Sequence, residues 1–213
     1  MGKGFFITFE GGEGAGKSTQ LSRLEARLRE AGHEVVVSRE PGGTETAERI
    51  RGLLVSGDPG AMSSTAEALL NYAARDDHLR RLIRPALEEG KVVLCDRFMD
   101  STRAYQGYAG DCPIALVEAL EREVVGETRP DLTIIFDIDP ATGLGRAGAR
   151  ERSNGGGEDR FERFGMEFHR RLREAFLRIA REEPERCVVV DAARPADEVE
   201  REIAAAVAAR MPA

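Results

Sequence analysis

Residues 11–18 read GGEGAGKS, directly after the apolar run FFITF at 5–9 and directly before TQLSRL at 19–24, which has helical spacing. Glycines let the backbone curl until successive amides point inward, and the N-terminus of the following helix adds its dipole. In this pattern Lys17 reaches the β- and γ-phosphates, and Ser18 offers a hydroxyl to Mg²⁺. The stretch therefore predicts a loop that holds a nucleoside triphosphate. The predicted nucleotide contacts are Gly11, Gly12, Glu13, Gly14, Ala15, Gly16, Lys17, Ser18 and Thr19.

Lysine is rare in this chain. Of 31 basic residues only Lys3, Lys17 and Lys91 are lysine, so arginine meets nearly every other demand for positive charge. A lysine in the loop therefore indicates a need for a compact ammonium that a planar guanidinium would not meet. This choice of residue argues against an ordinary glycine-rich turn.

Composition limits the class of protein. A chain of 213 residues with 41% hydrophobic content can bury one sizeable core, which predicts a single α/β domain over 1–213. The net charge of −7 disfavours an extended nucleic-acid-binding surface. Cys95, Cys112 and Cys187 are odd in number and far apart, so we expect no disulfide framework and a reducing, cytoplasmic location. Neither a signal peptide nor a membrane span is expected.

Short apolar runs alternate with helical patterning along the chain. This alternation predicts a P-loop NTPase-type three-layer sandwich, in which a five-stranded parallel sheet has helices on both faces and binds ligands at the carboxyl ends of its strands. The predicted strands are 5–10, 34–38, 92–96, 132–137 and 187–191. The predicted helices are 18–31, 44–54, 65–89, 113–125, 140–150, 162–182 and 196–210.

Two breaks in the pattern are informative. The sequence REPGGT at 39–44 follows the second strand and predicts a shaped turn at the functional edge of the sheet. Residues 150–160 are rich in glycine and arginine, as a mobile phosphate-clamping lid requires, although a merely solvated loop would look similar. We expect the lid to span about 146–160.

The third predicted strand ends at Asp96, which is followed by Arg97. Asp96 is expected to hold Mg²⁺ through water opposite Ser18, and the planar fork of Arg97 suits phosphate oxygens. Phosphoryl transfer needs charge neutralisation more than covalent chemistry. The candidate cations are Arg39, Arg75, Arg97, Arg146, Arg150, Arg152 and Arg160.

Further motifs accompany the loop, in order, over nearly the whole chain. They are FEGGEGAGKSTQ at 9–20, REPGGT at 39–44, DR at 96–97 with Ser101 and AYQG at 104–107, and PDL at 130–132. Together they resemble the bacterial thymidylate kinases. The resemblance implies transfer of the γ-phosphoryl group of ATP to dTMP, giving dTDP, with Mg²⁺ and in a homodimer.

The resemblance also implies roles for individual residues. Arg39, Arg75 and Arg97 would gather around the phosphate and base of dTMP, and Ser101 and Gln106 would face the thymine. Tyr105 would lie against the deoxyribose and help exclude a 2′-hydroxyl, with Glu13 near the sugar and phosphate of the acceptor. Such a site makes physical sense, because two anionic phosphates cannot approach without interposed cations.

Members of this family keep a catalytic arginine either in the phosphate loop or in the lid. Positions 12–15 contain no cation here, so the lid must supply it. By position, Arg150 would be catalytic together with Lys17 and Arg97. Arg146 would lie nearer the adenine, and Arg160 would be a second phosphate contact.

One position departs from the family pattern. Four residues before Arg75, an aromatic ring usually stacks on thymine, but this chain has Asn71 followed by Tyr72. Either Tyr72 or a residue from elsewhere supplies the platform, or Asn71 recognises the base by hydrogen bonding. The long glycine run also leaves the alignment of Arg152 and Arg160 open by a few residues.

Two other functions are alternatives to this one. A kinase for another deoxynucleotide, or for a deoxynucleoside, would use the same loop, but the cationic acceptor residues favour a phosphorylated acceptor. A GTPase-type switch characteristically uses Asn-Lys-x-Asp. Asn71 and Asn154, the only asparagines, are followed by tyrosine and glycine, which argues against a switch.

Overall fold

Five parallel strands form one sheet, as the alternating pattern predicts. They are β1 (Phe5–Gly11), β2 (Val35–Arg39), β3 (Val92–Asp96), β4 (Leu132–Asp137) and β5 (Cys187–Asp191), in the spatial order β2-β3-β1-β4-β5. The central strands are buried along nearly their whole length, which is why they read as continuous apolar runs. Each predicted strand agrees with the observed bounds within one residue.

The computed structural model describes residues 4–56, 58, 60–154, 160–161 and 163–211, with the backbone alone for 150–154. Within those residues the α-helices are α1 (Lys17–Glu30), α2 (Glu45–Val55), α3 (Ser64–His78), α4 (Arg84–Glu88), α5 (Met99–Thr102), α6 (Ile114–Val124), α7 (Pro140–Asn154), α8 (Met166–Glu182) and α9 (Ala196–Arg210). None of these helices is long and apolar enough to cross a membrane.

Helices pack on both faces of the sheet. On one face, Leu24 of α1 and Ile203 of α9 share a buried cluster with Ile7 of β1. On the other face, Val117 of α6 packs in a cluster with Phe6, the neighbour of Ile7 whose side chain points the opposite way. The molecule therefore has the predicted three layers, with the phosphate loop at the end of its central strand.

The long helix predicted over 65–89 is interrupted. It is observed as α3, a π-helical turn at Leu79–Ile83, and α4. Pro85 follows the turn and has no backbone N–H to donate, while the Arg84 N–H bonds five residues back to the carbonyl oxygen of Leu79. Helical periodicity was correct for the segment, but it does not predict this wider turn.

A further helical segment was not predicted. It consists of α5 and a π-helical turn at Arg103–Tyr108. Charged side chains here are buried rather than solvated, because Asp100 accepts hydrogen bonds from both terminal nitrogens of Arg186 at 2.7 Å. Because these charged residues are buried in pairs, the spacing of apolar residues does not predict a buried helix here. Three residues that were predicted to bind the phosphoryl acceptor lie on this segment, namely Ser101, Tyr105 and Gln106.

The sheet register brings the predicted catalytic elements together. Phe9 of β1 pairs with Asp96 of β3, and Asp96 in turn pairs with Arg39 of β2. The phosphate loop, the acid and the turn at 39–44 therefore begin at neighbouring points of the carboxyl edge, as expected for ligand binding in open α/β sheets.

Candidate active site

The glycine-rich segment forms a tight loop between β1 and α1. Gly11, Gly14 and Gly16 have φ angles of 139°, 65° and 84°, which L side chains rarely adopt. A Cβ on Gly14 would lie 1.9 Å from the carbonyl oxygen of Gly143 in α7. The loop therefore needs glycine both for its conformation and for its close contact with that helix.

Lys17 begins α1 and is 7% exposed. Its Nζ donates hydrogen bonds to the carbonyl oxygens of Gly11 at 3.2 Å and Gly12 at 2.9 Å. Burial lowers the pKa of Lys17, as does the charge of Arg97, while Asp96 raises it. The ammonium is therefore held at the loop itself, where phosphate oxygens would be suitable acceptors.

Ser18 and Asp96 meet at the carboxyl edge of the sheet. The Ser18 hydroxyl donates to Asp96 Oδ2 at 3.3 Å, and Asp96 Oδ1 is buried with no hydrogen-bond partner among the described residues. Among the residues that the structure describes, no group of three or more His, Cys, Asp or Glu side chains could hold a metal. A hydroxyl and a carboxylate with a spare oxygen fit Mg²⁺, which binds through few protein oxygens, several waters and substrate phosphates.

Arg97 bridges the loop and the region beyond it. It is the only non-glycine residue in the described ranges with a positive φ, 69°, a conformation that costs about 1–3 kcal/mol. Its guanidinium donates to the carbonyl oxygen of Gly11 at 2.9 Å, to Glu13 at 2.7 Å and to Ser101 at 3.3 Å. These bonds and the Arg97 N–H bond to Phe9 hold the strained backbone in place.

Glu13 accepts hydrogen bonds from two sides. The Tyr105 hydroxyl donates to Glu13 Oε1 at 2.7 Å, and the Arg97 guanidinium lies 5.0 Å from the Tyr105 ring centroid. Burial by itself would raise the pKa of Glu13, but Arg97, then Lys17, then the Tyr105 hydrogen bond lower it to about 2. Glu13 is therefore a carboxylate at neutral pH that fixes both Arg97 and Tyr105.

The structure brings six residues that were predicted to bind the phosphoryl acceptor to one cleft. They are Asn71, Arg75, Arg97, Ser101, Tyr105 and Gln106. The cleft is also lined by Glu40, Pro41, Thr102 and Phe161, none of which was predicted to contact a ligand. The turn at 39–44, α3, the helix after β3 and the segment beyond the glycine run therefore meet at a common site.

Arg75 is almost fully buried at the wall of this cleft. Its Nε donates to Glu40 at 2.7 Å and one terminal nitrogen donates to Thr102 at 3.1 Å. The other terminal nitrogen, Nη1, has no hydrogen-bond partner in the part of the chain that is described. Burial lowers the pKa of Arg75, but the charge of Glu40, the nearby Tyr72 and the hydrogen bond to Glu40 together raise it, so the net shift is upward. A buried, charged and unpaired N–H group fits an anionic ligand.

An aromatic side chain from outside α3 lines the same cleft as Asn71. Asn71 donates to the carbonyl oxygen of Glu67 at 2.9 Å. Tyr72 is buried in the core, with its ring 4.6 Å from the Arg75 guanidinium, and is not among the residues that line the cleft. Phe161 does line it, and its ring packs edge-on against Tyr105 at 5.4 Å. The one signal for Phe161 in the sequence is a large apolar residue within a charged, glycine-rich stretch.

Arg39 does not join the cleft. Its side chain is 53% exposed and pairs with Glu48 of α2 at 3.2 Å. Although its backbone pairs with Asp96, β2 is an edge strand, and the side chain turns along that edge toward α2. The expected gathering of Arg39 with Arg75 and Arg97 is therefore not observed.

Arg146 lines a groove beside the phosphate loop. Its guanidinium donates to the carbonyl oxygen of Ala192 at 3.0 Å, and Thr19 lines the same groove. Arg150 belongs to α7, but its side chain lies outside the described residues, as does that of Arg152. The glycine run at 155–157 is likewise outside them.

Arg160 is predicted to contact phosphate, but the structure places its side chain in a buried position with other partners. It is 1% exposed and donates to the backbone oxygens of Leu54 at 2.8 Å and Asp58 at 3.2 Å. It also pairs with Glu67, whose other oxygen accepts from Gln106 at 2.8 Å. A guanidinium with these partners is linked through Glu67 to Gln106 of the cleft and has no exposed face for phosphate.

The chain is similar to known proteins over almost its whole length. A family model described as thymidylate kinase matches residues 9–203. The thymidylate kinase of Caulobacter vibrioides is 56% identical over 211 residues, which are 99% of each chain. That of Bradyrhizobium sp. (strain BTAi1) is 51% identical over 198 residues, which are 93% of this chain and 87% of the relative.

The fold is also similar to that of a solved structure. The crystal structure of thymidylate kinase from Ehrlichia chaffeensis aligns with a TM-score of 0.77 and 35% sequence identity, covering 97% of this chain and 99% of that one. The fold, the phosphate loop and these matches agree with the motifs from which the family was predicted. The chain therefore belongs to the thymidylate kinase family.

Proposed function

We propose that this protein transfers the γ-phosphoryl group of ATP to dTMP, giving ADP and dTDP. The observation that carries the proposal is the position of Arg97, which bonds to the phosphate loop at Gly11 and also lines the acceptor cleft. A cation shared by two phosphate sites is what transfer between two anions requires. Membership of the thymidylate kinase family supports the choice of substrates.

ATP, the phosphoryl donor, would bind along the loop and the adjoining groove. Backbone amides of the glycine loop and Lys17 would hold the β- and γ-phosphates, and Thr19 and Arg146 line the groove that would take the rest of the nucleotide. Ser18 and Asp96 would hold Mg²⁺. When bound, Mg²⁺ neutralises charge on the β- and γ-phosphate oxygens.

The acceptor, dTMP, would bind in the cleft lined by Asn71, Arg75 and Tyr105. Arg75 and Arg97 would contact its phosphate, since both are fixed cations at the cleft wall. Tyr105 is held by its bond to Glu13, so its ring is rigid where it would meet the deoxyribose. A rigid ring excludes an added hydroxyl more strictly than a mobile one.

The base would lie among the remaining lining residues. Ser101 and Gln106 offer hydrogen-bonding groups, and Asn71 adds a third. Phe161 supplies the aromatic face that position 71 lacks. The loop has no cation between positions 12 and 15. The arginine that stabilises the negative charge of the transition state would therefore come from the segment at 146–160, with Arg150 as the catalytic residue.

A homodimer and a cytoplasmic location complete the proposal. Leu53 of α2 and Leu69 of α3 are 58% and 48% exposed, and large apolar side chains at the surface suit an interface between two copies. Sedimentation velocity of the purified protein measures the oligomeric state directly. A monomer at micromolar concentration would contradict the dimer without affecting the proposed reaction.

A coupled assay of ADP release tests the reaction. Purified protein is mixed with ATP, Mg²⁺ and one of dTMP, dUMP, dCMP, dGMP or thymidine, and kcat/KM is compared across the panel. We expect dTMP to be the best acceptor and thymidine to be inert. Lys17→Met serves as the control that assigns the activity to this chain. Comparable rates with dCMP or dGMP would instead support a kinase for another deoxynucleotide.

A further inference from the structure

Four polar side chains form a continuous relay behind the acceptor cleft. Ser38 Oγ lies 2.6 Å from His78 Nε2, and His78 Nδ1 lies 3.0 Å from Glu40 Oε1. The second oxygen of Glu40 accepts from Arg75 Nε at 2.7 Å. The relay thus runs from the end of β2, through α3, to the arginine that lines the cleft.

The relay is buried, and its hydrogen-bond partners determine which atoms carry the protons. His78 is 0% exposed, Glu40 4% and Arg75 1%. A carboxylate can only accept, so His78 Nδ1 must carry the proton that it shares with Glu40. In the tautomer with its proton on Nδ1, Nε2 is the ring nitrogen that accepts from the Ser38 hydroxyl. Each member therefore has a partner that determines its orientation.

The turn after β2 is built around this relay. A Cβ on Gly43 would lie 2.4 Å from Ser38 Oγ and 2.5 Å from His78 Nε2, so only glycine fits there. The next residue, Thr44, donates from its hydroxyl to Asp77 at 2.6 Å, beside His78 on α3. The turn that carries Glu40 is therefore docked on α3 at two successive residues.

We propose that His78 is a positioning residue for the phosphate of the acceptor. It does not line the cleft, but its Nδ1 proton holds the Glu40 carboxylate in the one orientation that fixes Arg75. Arg75 Nη1, which has no partner among the described groups, is thereby kept in place for an anion. The inference rests on the proposed function, because the phosphate of the acceptor is the anion that this nitrogen would bind.

Two amide variants separate the two ends of the histidine ring. The amide of His78→Asn reaches the position of Nδ1 and can still donate to Glu40, whereas the amide of His78→Gln reaches the position of Nε2 and keeps only the Ser38 contact. We expect His78→Gln to raise the KM for dTMP by about 10- to 100-fold, the effect of a lost bond to a charged group. His78→Asn should remain within about threefold of wild type, and Ser38→Ala should raise KM by a smaller factor than His78→Gln.

The readouts distinguish positioning from general damage. The KM for ATP should stay unchanged in every variant, and so should the inhibition constant of thymidine, which has the base and sugar but no phosphate. Equal effects of His78→Asn and His78→Gln, or a parallel loss of thymidine binding, would overturn the proposal. If both His78 variants fail to fold, an unchanged KM for dTMP in Ser38→Ala overturns it and a raised one supports it. Failure of wild-type protein to phosphorylate dTMP would instead contradict the proposed function.

Discussion

Arg97 and Glu13 form an ion pair of 2.7 Å that joins the strand end at β3 to the phosphate loop. Both side chains are mostly buried, at 19% and 18% exposure. The same Glu13 oxygen accepts from Tyr105, so one carboxylate holds a cation of the transfer site and a ring of the acceptor cleft. The geometry of the donor loop and that of the acceptor cleft are therefore mutually dependent.

This ion pair makes stability depend on pH. The pKa of Glu13 falls from 4.5 to about 2 in the folded protein, because Arg97, Lys17 and the Tyr105 hydrogen bond together outweigh the effect of burial. A carboxylate with a lowered pKa stabilises the fold above its unfolded value, and this contribution is lost as pH falls through the folded pKa. We expect Glu13→Gln to reduce the free energy of unfolding by about 3 kcal/mol at pH 7, and by less than about 1 kcal/mol near pH 2.

Urea unfolding between pH 2 and pH 7 measures this difference. Glu123→Gln is the matched control, because Glu123 is 78% exposed and its pairing with Arg122 is a surface contact. Exposed pairs contribute little, so the control should change stability by less than about 0.5 kcal/mol. A difference between wild type and Glu13→Gln that stays constant from pH 7 to pH 2 would show that Glu13 is not held as a paired carboxylate.

Phe161 should determine acceptor affinity although it follows the predicted lid in sequence. Its ring lines the acceptor cleft and packs on Tyr105. We expect Phe161→Ala to raise the KM for dTMP about tenfold through loss of the aromatic contact, with little change in the KM for ATP. Phe164→Ala is the control, since its ring stacks on Phe161 at 6.0 Å but does not line that cleft. Equal effects of the two variants would argue for general disorder of the segment.

Arg160 should contribute to stability rather than to charge at the transfer site. Removing it leaves Glu67 buried without its cation, which typically costs about 3–5 kcal/mol. We therefore expect Arg160→Met to lower the midpoint of denaturant unfolding strongly, and Arg160→Met with Glu67→Gln to recover part of the loss. Arg163→Met, at a 43% exposed side chain, is the control. A variant of Arg160 with normal stability and a large loss of kcat would restore the phosphate role.

Local patterns predicted the sheet and the phosphate loop well for a physical reason. A strand buried on both faces must be apolar throughout, as Phe5–Gly11 is, and a phosphate loop needs its glycines and lysine at fixed spacing. Both signals lie within a few consecutive residues. The residues predicted to bind the acceptor were named from family motifs, and six of them line one cleft.

The remaining features depend on contacts between distant parts of the chain. Arg160 finds Glu67 from 93 positions away, and nothing in the spacing of either residue indicates it. His78 is a single histidine on a helix, and only the path of the turn at 39–44 reveals its partner Glu40. Arg39 shows the converse, because a motif position at the correct strand end did not determine where its side chain points.

Two arginines of α7 should have separable roles. Arg146 bonds to Ala192 in the groove beside Thr19, so Arg146→Ala should raise the KM for ATP about tenfold and leave kcat nearly unchanged. Arg150→Ala should instead lower kcat by about 10³-fold or more, as loss of an arginine that stabilises the transition state does, with little change in the Kd for ATP. Steady-state kinetics and equilibrium titration with ATP measure both quantities. Arg23→Ala on α1, where Arg23 pairs with Asp197, is the control and should change neither. An unchanged kcat in Arg150→Ala would transfer the catalytic role to Arg152.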